Sequence, residues 1–295
     1  HKLLSYQQTT TSFRPRFDAY GNVRIIQGDS LVLTSEKVNY YGKIKLAVAK
    51  EQVVLDNKEM LLKTDTLYFD RVKNIAYYPV NGTVYDSLTT ISSKRGTYVS
   101  DTKKYKFENK VVVTNQDFTL TSTRMDFYTE TKHAFFYGAT TIIGEDYVVR
   151  CREGFYNTVK KEGYFKDNAS VDYNNRNIIG DSIYFNDTKK YASATQNIRI
   201  TDTINNSFIT GNYGQVFKEK DSAMVTHRAL AINLVELDSL FKTFESTLKD
   251  FSSEHGMANS RARLRMSTLY QVAAANNGIV VGTGNKVEDF GVGFY

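Results

Sequence analysis

Six segments of this chain repeat one another: KVNYYGKIKLAVA, TLYFDRVKNIAYY, GTYVSDTKKYKFE, DFYTETKHAFFYG, GFYNTVKKEGYFK and SIYFNDTKKYASA. Aligning them superposes Tyr40, Tyr68, Tyr98, Tyr128, Tyr156 and Tyr184, at spacings of 28, 30, 30, 28 and 28 residues. A seventh copy, QVFKEKDSAMVT, places Val216 at the tyrosine position. A repeat this short cannot bury its apolar face alone, so neighbouring copies must stack and share one continuous core.

A second landmark recurs between the tyrosines. It is a small or Asn-containing element leading into a β-branched run, at Gly21, Asn81, Asn109, Gly138, Asn168 and Gln196. Gly and Asn tolerate positive φ, so the spacing predicts a turn at each place. Each unit then reads as about three short strands. Leu31 and Leu33 share a face, as do Phe118 and Leu120, and Ile198 and Ile200. That period of two predicts one dry and one wet sheet face. The Lys-containing turns DRVKN, SDTKK, TETKH and NDTKK fall once per unit and predict one solvated edge. The expected fold is mainly β: a long antiparallel repeat jellyroll or β-solenoid, with the six tyrosines at equivalent places. Its two sheets would enclose an apolar slot lined by Leu31, Leu33, Phe118, Leu120, Ile198 and Ile200. The same pattern also allows a closed, fully packed solenoid that serves as a spacer.

The chain has 295 residues, 21 Tyr and 18 Phe but no Trp, and a net charge of +6. Tyr, Val and Thr suit half-buried sheet surfaces. No run of five or more Lys/Arg occurs, so nucleic acid is not an expected partner. No apolar stretch approaches the roughly 18 residues of a membrane span. Cys151 is the single cysteine, which excludes an intrachain disulfide and a Cys-based zinc site. It shares parity with Tyr147 and Val149, which predicts a buried strand position. His133 follows a turn and reads as a solvated turn residue. Asp65, Asp126 and Asp181 precede tyrosine positions and read as turn or hydrogen-bonding groups rather than paired catalytic carboxylates. The chain opens on His rather than Met, which suggests that an N-terminus and any export signal lie upstream.

The segments GNVRIIQGDSLVLTSEKVNYY and MLLKTDTLYFDRVKNIAYYPVNGTV resemble the OstA-like lipopolysaccharide-transport proteins, and the resemblance extends over about residues 18–228. It implies a periplasmic or outer-membrane-associated β-jellyroll that binds lipopolysaccharide or another acylated lipid between its sheets, with no cofactor. Its open edge strands would pair with other OstA-like jellyrolls.

After about Arg228 the pattern changes. Leu237, Leu240, Phe241, Phe244 and Leu248 have helical spacing, ANSRARLRMSTLYQVAAA reads as a second helix, and GIVVGTGN as a strand and small-residue turn. The sequence NSRARLRMSTLYQVAAANNGIVVGTGNKVEDFGVGFY resembles ammonia-dependent NAD⁺ synthase. The resemblance implies a helix–helix–strand piece of an adenine-nucleotide α-hydrolase-like fold, with ATP and Mg²⁺ as cofactors and a cytoplasmic setting. It places Asn259 and Arg263 against deamido-NAD, Thr283 facing ATP, and Glu288 holding Mg²⁺, while Arg265 stays open between phosphate ligand and structural ion pair. The family's S-G-G-x-D-S phosphate loop is not found in this sequence, so no catalytic residue is assigned and the segment alone is expected to be inactive. The organisation expected is a β-jellyroll over 1–228, a junction over 229–239 and an incomplete NAD⁺ synthase-like segment over 240–295. These read as parts of two unrelated proteins. The alternative reading is an NAD⁺ synthase fragment carrying a foreign β domain.

Overall fold

A computed structural model of the chain describes residues 16–28, 31–86, 88–233, 237–251, 253–275, 277 and 280. The described chain divides into two compact units between Asn233 and Leu234. The first is an antiparallel sheet of 18 strands among the described residues. In chain order these are β1 (Phe17–Gln27), β2 (Leu31–Tyr41), β3 (Leu46–Asp56), β4 (Leu61–Asp70), β5 (Ile75–Tyr78), β6 (Gly82–Tyr85), β7 (Thr90–Ser93), β8 (Arg95–Val99) and β9 (Lys104–Thr114). They continue as β10 (Phe118–Tyr128), β11 (His133–Gly144), β12 (Tyr147–Asn157), β13 (Glu162–Tyr173), β14 (Arg176–Asn186), β15 (Tyr191–Asp202), β16 (Ser207–Phe217), β17 (Ser222–Thr226) and β18 (Leu230–Asn233). Each long strand pairs with the next, so the sheet is a meander.

A repeat therefore holds two long strands, not three short ones. The expected turns at Gly21, Asn81, Asn109, Gly138, Asn168 and Gln196 do carry positive φ, but most of them do not reverse the chain. They are bulges halfway along a strand, where the register slips against both neighbours. A bulge bends its strand. Aligned across the whole sheet, the bulges form a crease that folds every strand in half. On the intervening strands the crease falls at Ser35, Thr64, Ser93, Ser122, Cys151 and Gly180, each number 29 above the last. The Ser122 hydroxyl donates to the Arg124 carbonyl at 3.0 Å and Ser93 to Arg95 at 2.8 Å, so the bend satisfies its own backbone acceptors. Cys151 is buried, as its parity predicted, and burial pushes its thiol up to about 12.

The folded meander has two half-sheets facing each other, and the structural period is a strict 29. The reversing turns carry Lys45, Asn74, Lys103, Lys132, Lys161 and Lys190 in the left-handed region. Each of their carbonyls accepts a hydrogen bond from the next repeat, as in Thr129 N–H to Lys103 and Thr158 N–H to Lys132, both at 3.1 Å. Counting from these turns corrects the tyrosine alignment. The inward-facing column at that level is Tyr40, Phe69, Tyr98, Phe127, Tyr156 and Phe185. Tyr68, Tyr128 and Tyr184 miss it by one residue and sit on the outer face, because a one-residue offset on a strand reverses the side chain. The spacings of 28 and 30 were therefore two different environments, not noise around one.

The second unit holds α1 (Asp238–Thr247), a short 3-10 turn (Lys249–Phe251) and α2 (Glu254–Ala275). Ser253 caps α2, its hydroxyl accepting the Gly256 N–H at 3.1 Å. Phe241 is buried and the Arg261 guanidinium lies 4.3 Å from its ring centroid. Leu240, Met266, Leu269 and Tyr270 are exposed. The strand expected at GIVV falls largely outside the described residues.

Candidate functional site

The interior is chemically two-sided. The half-sheet nearer the crease-to-hairpin turns at Asn57, Asn115 and Asn174 is aliphatic. Leu33, Leu62, Ile91, Leu120, Val149 and Ile178 form one column at intervals of 29, and Leu55, Val84, Val113, Ile142, Val171 and Ile200 form another. The opposing half-sheet supplies rings: the Tyr40–Phe185 column interleaved with the small Ala47, Ala76, Ala134, Gly163 and Ala192. Large side chains thus pair with small ones on adjacent strands, as in Tyr156 with Ala134 and Phe185 with Gly163; Tyr105, which takes the small position between Ala76 and Ala134, pairs with Tyr98 and Phe127 instead. The halves touch face to face: the Phe118 and Tyr156 rings are 5.4 Å apart, and those of Tyr147 and Phe185 are 4.7 Å apart.

All six slot candidates lie in this interior on the aliphatic half. Leu31, Leu33, Phe118, Leu120, Ile198 and Ile200 are each 5% exposed or less, packed in one hydrophobic cluster. Two hollows of about 610 and 540 Å³ lie on the crease instead, around Asn109, Lys110, Thr121 and Thr123, and around Thr123, Gly138, Arg152 and Asp167.

Opposite the crease, the two rows of turns meet in a seam. Every seam contact described involves a side chain. Lys103 pairs with Glu59 at 3.3 Å, Lys132 with Asp86 at 3.7 Å, Lys161 with Asp117 at 2.9 Å, and Lys190 with Asp146 at 3.9 Å. Lys218 also pairs with Asp146, and Arg176 with Asp221 at 2.9 Å. The lysines belong to one row of turns and their carboxylates to the other; for Lys103, Lys132, Lys161 and Lys190 the carboxylate lies 44 to 46 residues earlier, and for Lys218 it lies 72 residues earlier. Successive lysines are about 10 Å apart, since a repeat spans two strands at ~4.8 Å. Beneath them lie four buried tyrosine hydroxyls without a hydrogen-bond partner, those of Tyr105, Tyr147, Tyr156 and Tyr173. Burial pushes the Tyr147 phenol up to about 12 and raises Tyr105, Tyr156 and Tyr173 further, so all four are neutral donors.

Sequence reasoning read the Lys-rich turns as a solvated edge and missed this pairing. The signal was available only in combination: a left-handed Lys every 29 residues and an acid 44 or 46 residues before it. His133 is half-buried at the start of β11, near the Phe155 ring and 3.3 Å from the Asn157 amide, rather than free in a turn. Asp126 pairs with Lys104 at 3.1 Å and Asp181 accepts from Asn197 at 2.8 Å; the aspartates do not converge. Among the described residues no cluster of metal-ligating side chains forms, and no helix is long and apolar enough to cross a membrane.

In the second unit Asn259 and Arg263 stand one turn apart on one face of α2, with Arg263 exposed. The Asn259 side-chain oxygen Oδ1 is buried without a hydrogen-bond partner. Arg265 is also exposed on α2. Thr283 and Glu288 lie outside the described residues.

Comparison with known proteins matches two separate stretches of the chain, the second of which begins within β16, before the sheet ends. Residues 6–123 match the family described as OstA-like protein, and residues 215–295 match NAD synthase. Similar curated proteins are NH(3)-dependent NAD(+) synthetases. That of Mesoplasma florum is 42% identical over 64 residues, covering 21% of this chain and 26% of the relative. That of Carboxydothermus hydrogenoformans is 39% identical over 75 residues, covering 24% and 31%. The chain thus spans between a quarter and a third of the length of these relatives. A structural neighbour is LptH of Pseudomonas aeruginosa, titled the LptA homologous periplasmic component of a lipopolysaccharide transport device. It has a TM-score of 0.31 and 14% identity, covering 34% of this chain and 76% of LptH. The chain joins an OstA-like β region to an NAD synthase-like segment. Residues 124–214 fall between the two matches, yet the 29-residue columns run unbroken through them to Ile200.

Proposed function

We propose that residues 16–233 are a carrier for acylated lipid, of the lipopolysaccharide class, working in the periplasm. The observation that carries this is the asymmetry of the fold's two long sides. At the crease, backbone strands join the half-sheets. At the seam, side-chain ion pairs join them. Exposed ion pairs contribute about 0–1 kcal/mol each. Opening the seam therefore breaks no strand ladder, and the aliphatic columns it uncovers can exchange side-chain contacts for acyl chains. Such contacts are non-directional and scale with area, so a lipid tail replaces them without special geometry. The OstA-like match over 6–123 supports the lipid class and the compartment.

The sheet ends supply a route between copies. Strand β1 pairs on one side with β2 and carries exposed Phe17, Tyr20 and Ile26. A strand with one paired side among the described residues can pair on its other side with an edge strand of another OstA-like jellyroll. The NAD synthase-like segment adds Asn259 and Arg263 as contacts for deamido-NAD and Thr283 and Glu288 as contacts for ATP and Mg²⁺.

The test places a photoreactive residue at Leu120 or Ile200 in the full chain and exposes it to lipopolysaccharide. Capture at these positions, and none at outward Thr119 or Arg199, is the expected result. A folded protein that captures lipid at no inward position is a closed spacer, and the carrier reading fails.

A further inference from the structure

The ion pair between Lys161 and Asp117 differs from the others in what lies behind it. Two unpartnered buried hydroxyls, from Tyr147 and Tyr156, come from opposite half-sheets and approach each other without reaching hydrogen-bond geometry. Both lie within electrostatic reach of Asp117 and Asp187. An unmade hydrogen bond in a dry interior costs about 1–3 kcal/mol, so two together mark a place that wants an acceptor. The neighbouring pairs are less free: Asp86, the partner of Lys132, is mostly buried and already accepts from the Leu88 and Thr89 backbone N–H groups at 2.9 and 2.7 Å. Lys103 is held by a second carboxylate, Glu130 at 2.8 Å, and Asp146 is shared by Lys190 and Lys218. Asp117 is about half exposed, and the Lys161 ammonium has it as its one ion-pair partner described.

Given the carrier reading, on which this rests, we propose that Lys161, Tyr147 and Tyr156 form a port for the phosphate of an acylated amphiphile entering through the seam. The three groups present one ammonium and two hydroxyl donors. A phosphate monoester offers three strong acceptor oxygens and a charge of about −1.5 to −2 at neutral pH. It displaces Asp117 from Lys161, and Asp117 turns to water at little cost because it is already half exposed. Asp187 remains neutralised by Lys190 at 2.8 Å. The acyl chain then lies along the aliphatic half-sheet, where Phe118 and Leu120 begin just inside Asp117. The headgroup latches the seam in the place of the ion pair it breaks.

The full chain is titrated by calorimetry with dodecyl phosphate and, separately, with dodecyl maltoside, which has the same tail and no charge. Dodecyl phosphate should bind more tightly. Lys161→Gln should weaken it about tenfold, the worth of one charge-assisted contact. Asp117→Asn should strengthen it several-fold, because the competing carboxylate is gone. The double variant Tyr147→Phe with Tyr156→Phe should keep its fold, since it removes only unpaired hydroxyls, and should weaken phosphate binding alone. None of these changes should move dodecyl maltoside. A purely structural ion pair predicts that Lys161→Gln and Asp117→Asn act in the same direction. That outcome, or equal affinity for the two amphiphiles, overturns the port while leaving the carrier intact. Binding of neither amphiphile removes both.

Discussion

Phe127 and Tyr128 are adjacent, and they separate the strict 29-residue register from the tyrosine alignment. Phe127 faces the interior and is 2% exposed. Tyr128 faces outward, with its ring 5.6 Å from Phe135 and 5.4 Å from the Lys104 ammonium. Truncating a fully buried Phe to Ala removes its transfer free energy and leaves a cavity, about 3–5 kcal/mol together. Truncating Tyr128 removes a cross-strand ring pair and a partly exposed cation–π contact, about 0.5–1.5 kcal/mol. The gap of roughly 2–4 kcal/mol is well outside measurement scatter. Urea unfolding followed by far-UV circular dichroism reads it: with a slope of about 3 kcal/mol per molar, Phe127→Ala should lower the midpoint by about 1–1.7 M. Tyr128→Ala should lower it by less than about 0.5 M. If Tyr128→Ala is as damaging as Phe127→Ala, the tyrosines share one environment and the register drawn from the turns is wrong.

Ser122→Ala should destabilise the crease by about 1–2 kcal/mol, because it removes the hydroxyl that donates to the Arg124 carbonyl and leaves the buried Thr140 hydroxyl, 2.8 Å away, with the Gly138 carbonyl as its one remaining partner described; thermal unfolding against wild type checks this. Cys151 should be inert to a thiol reagent at pH 8 in the native protein and react only as the chain unfolds, since its thiol is held near 12; fast native labelling would contradict the burial. The Asp202 carboxylate is held below its ordinary value, first by the Asn205 backbone N–H, then by the Asn205 side chain and the Ile204 N–H. A lowered folded value means its contribution is complete above the unfolded value of about 3.9 and is lost as pH falls through the folded one. Asp202→Asn should therefore lose stability at pH 6 and flatten the acid limb of the stability curve, measured by denaturation from pH 6 to pH 2. The full chain incubated with deamido-NAD, ATP, Mg²⁺ and ammonia should form no NAD⁺ above the blank. Turnover abolished by Glu288→Ala would refute this.

The columns themselves were legible. Leu31 with Leu33, Phe118 with Leu120, and Ile198 with Ile200 share a buried face because strand periodicity is a local property. The αL positions were legible too, through Asn and Gly. What they did could not be read, because one residue at positive φ serves equally in a reversing turn or in a bulge within a continuing strand. Asn109 and Asn168 look like turn residues and sit mid-strand; Lys103 and Lys161 look like surface lysines and occupy the reversing turns. Deciding between the two needs the hydrogen-bond partners on both sides, and those come from residues far away in sequence. Tyrosine misled for a related reason: it is at home on either face of a sheet, so Tyr128 and Tyr156 align by identity while pointing in opposite directions.

The seam shows why long-range charge pairing stays hidden even in a repeat. Lys161 finds Asp117 only after the strands between them have folded at the crease, which brings the end of one strand beside the beginning of another. The offset of 44 residues is one and a half repeats, so a scan for acid and base within a unit, or at one full period, passes over it. The half-period arises because the two rows of turns alternate along the meander and the fold joins one row to the other. Any chain that folds a meander along a bulge crease must close its open side with groups offset in this way. In this chain those groups are charges above a row of unpaired hydroxyls. A seam meant only to stay shut would place apolar contacts or satisfied hydrogen bonds there. Charges over unmade bonds leave the closed state weakest along the edge through which a lipid would enter.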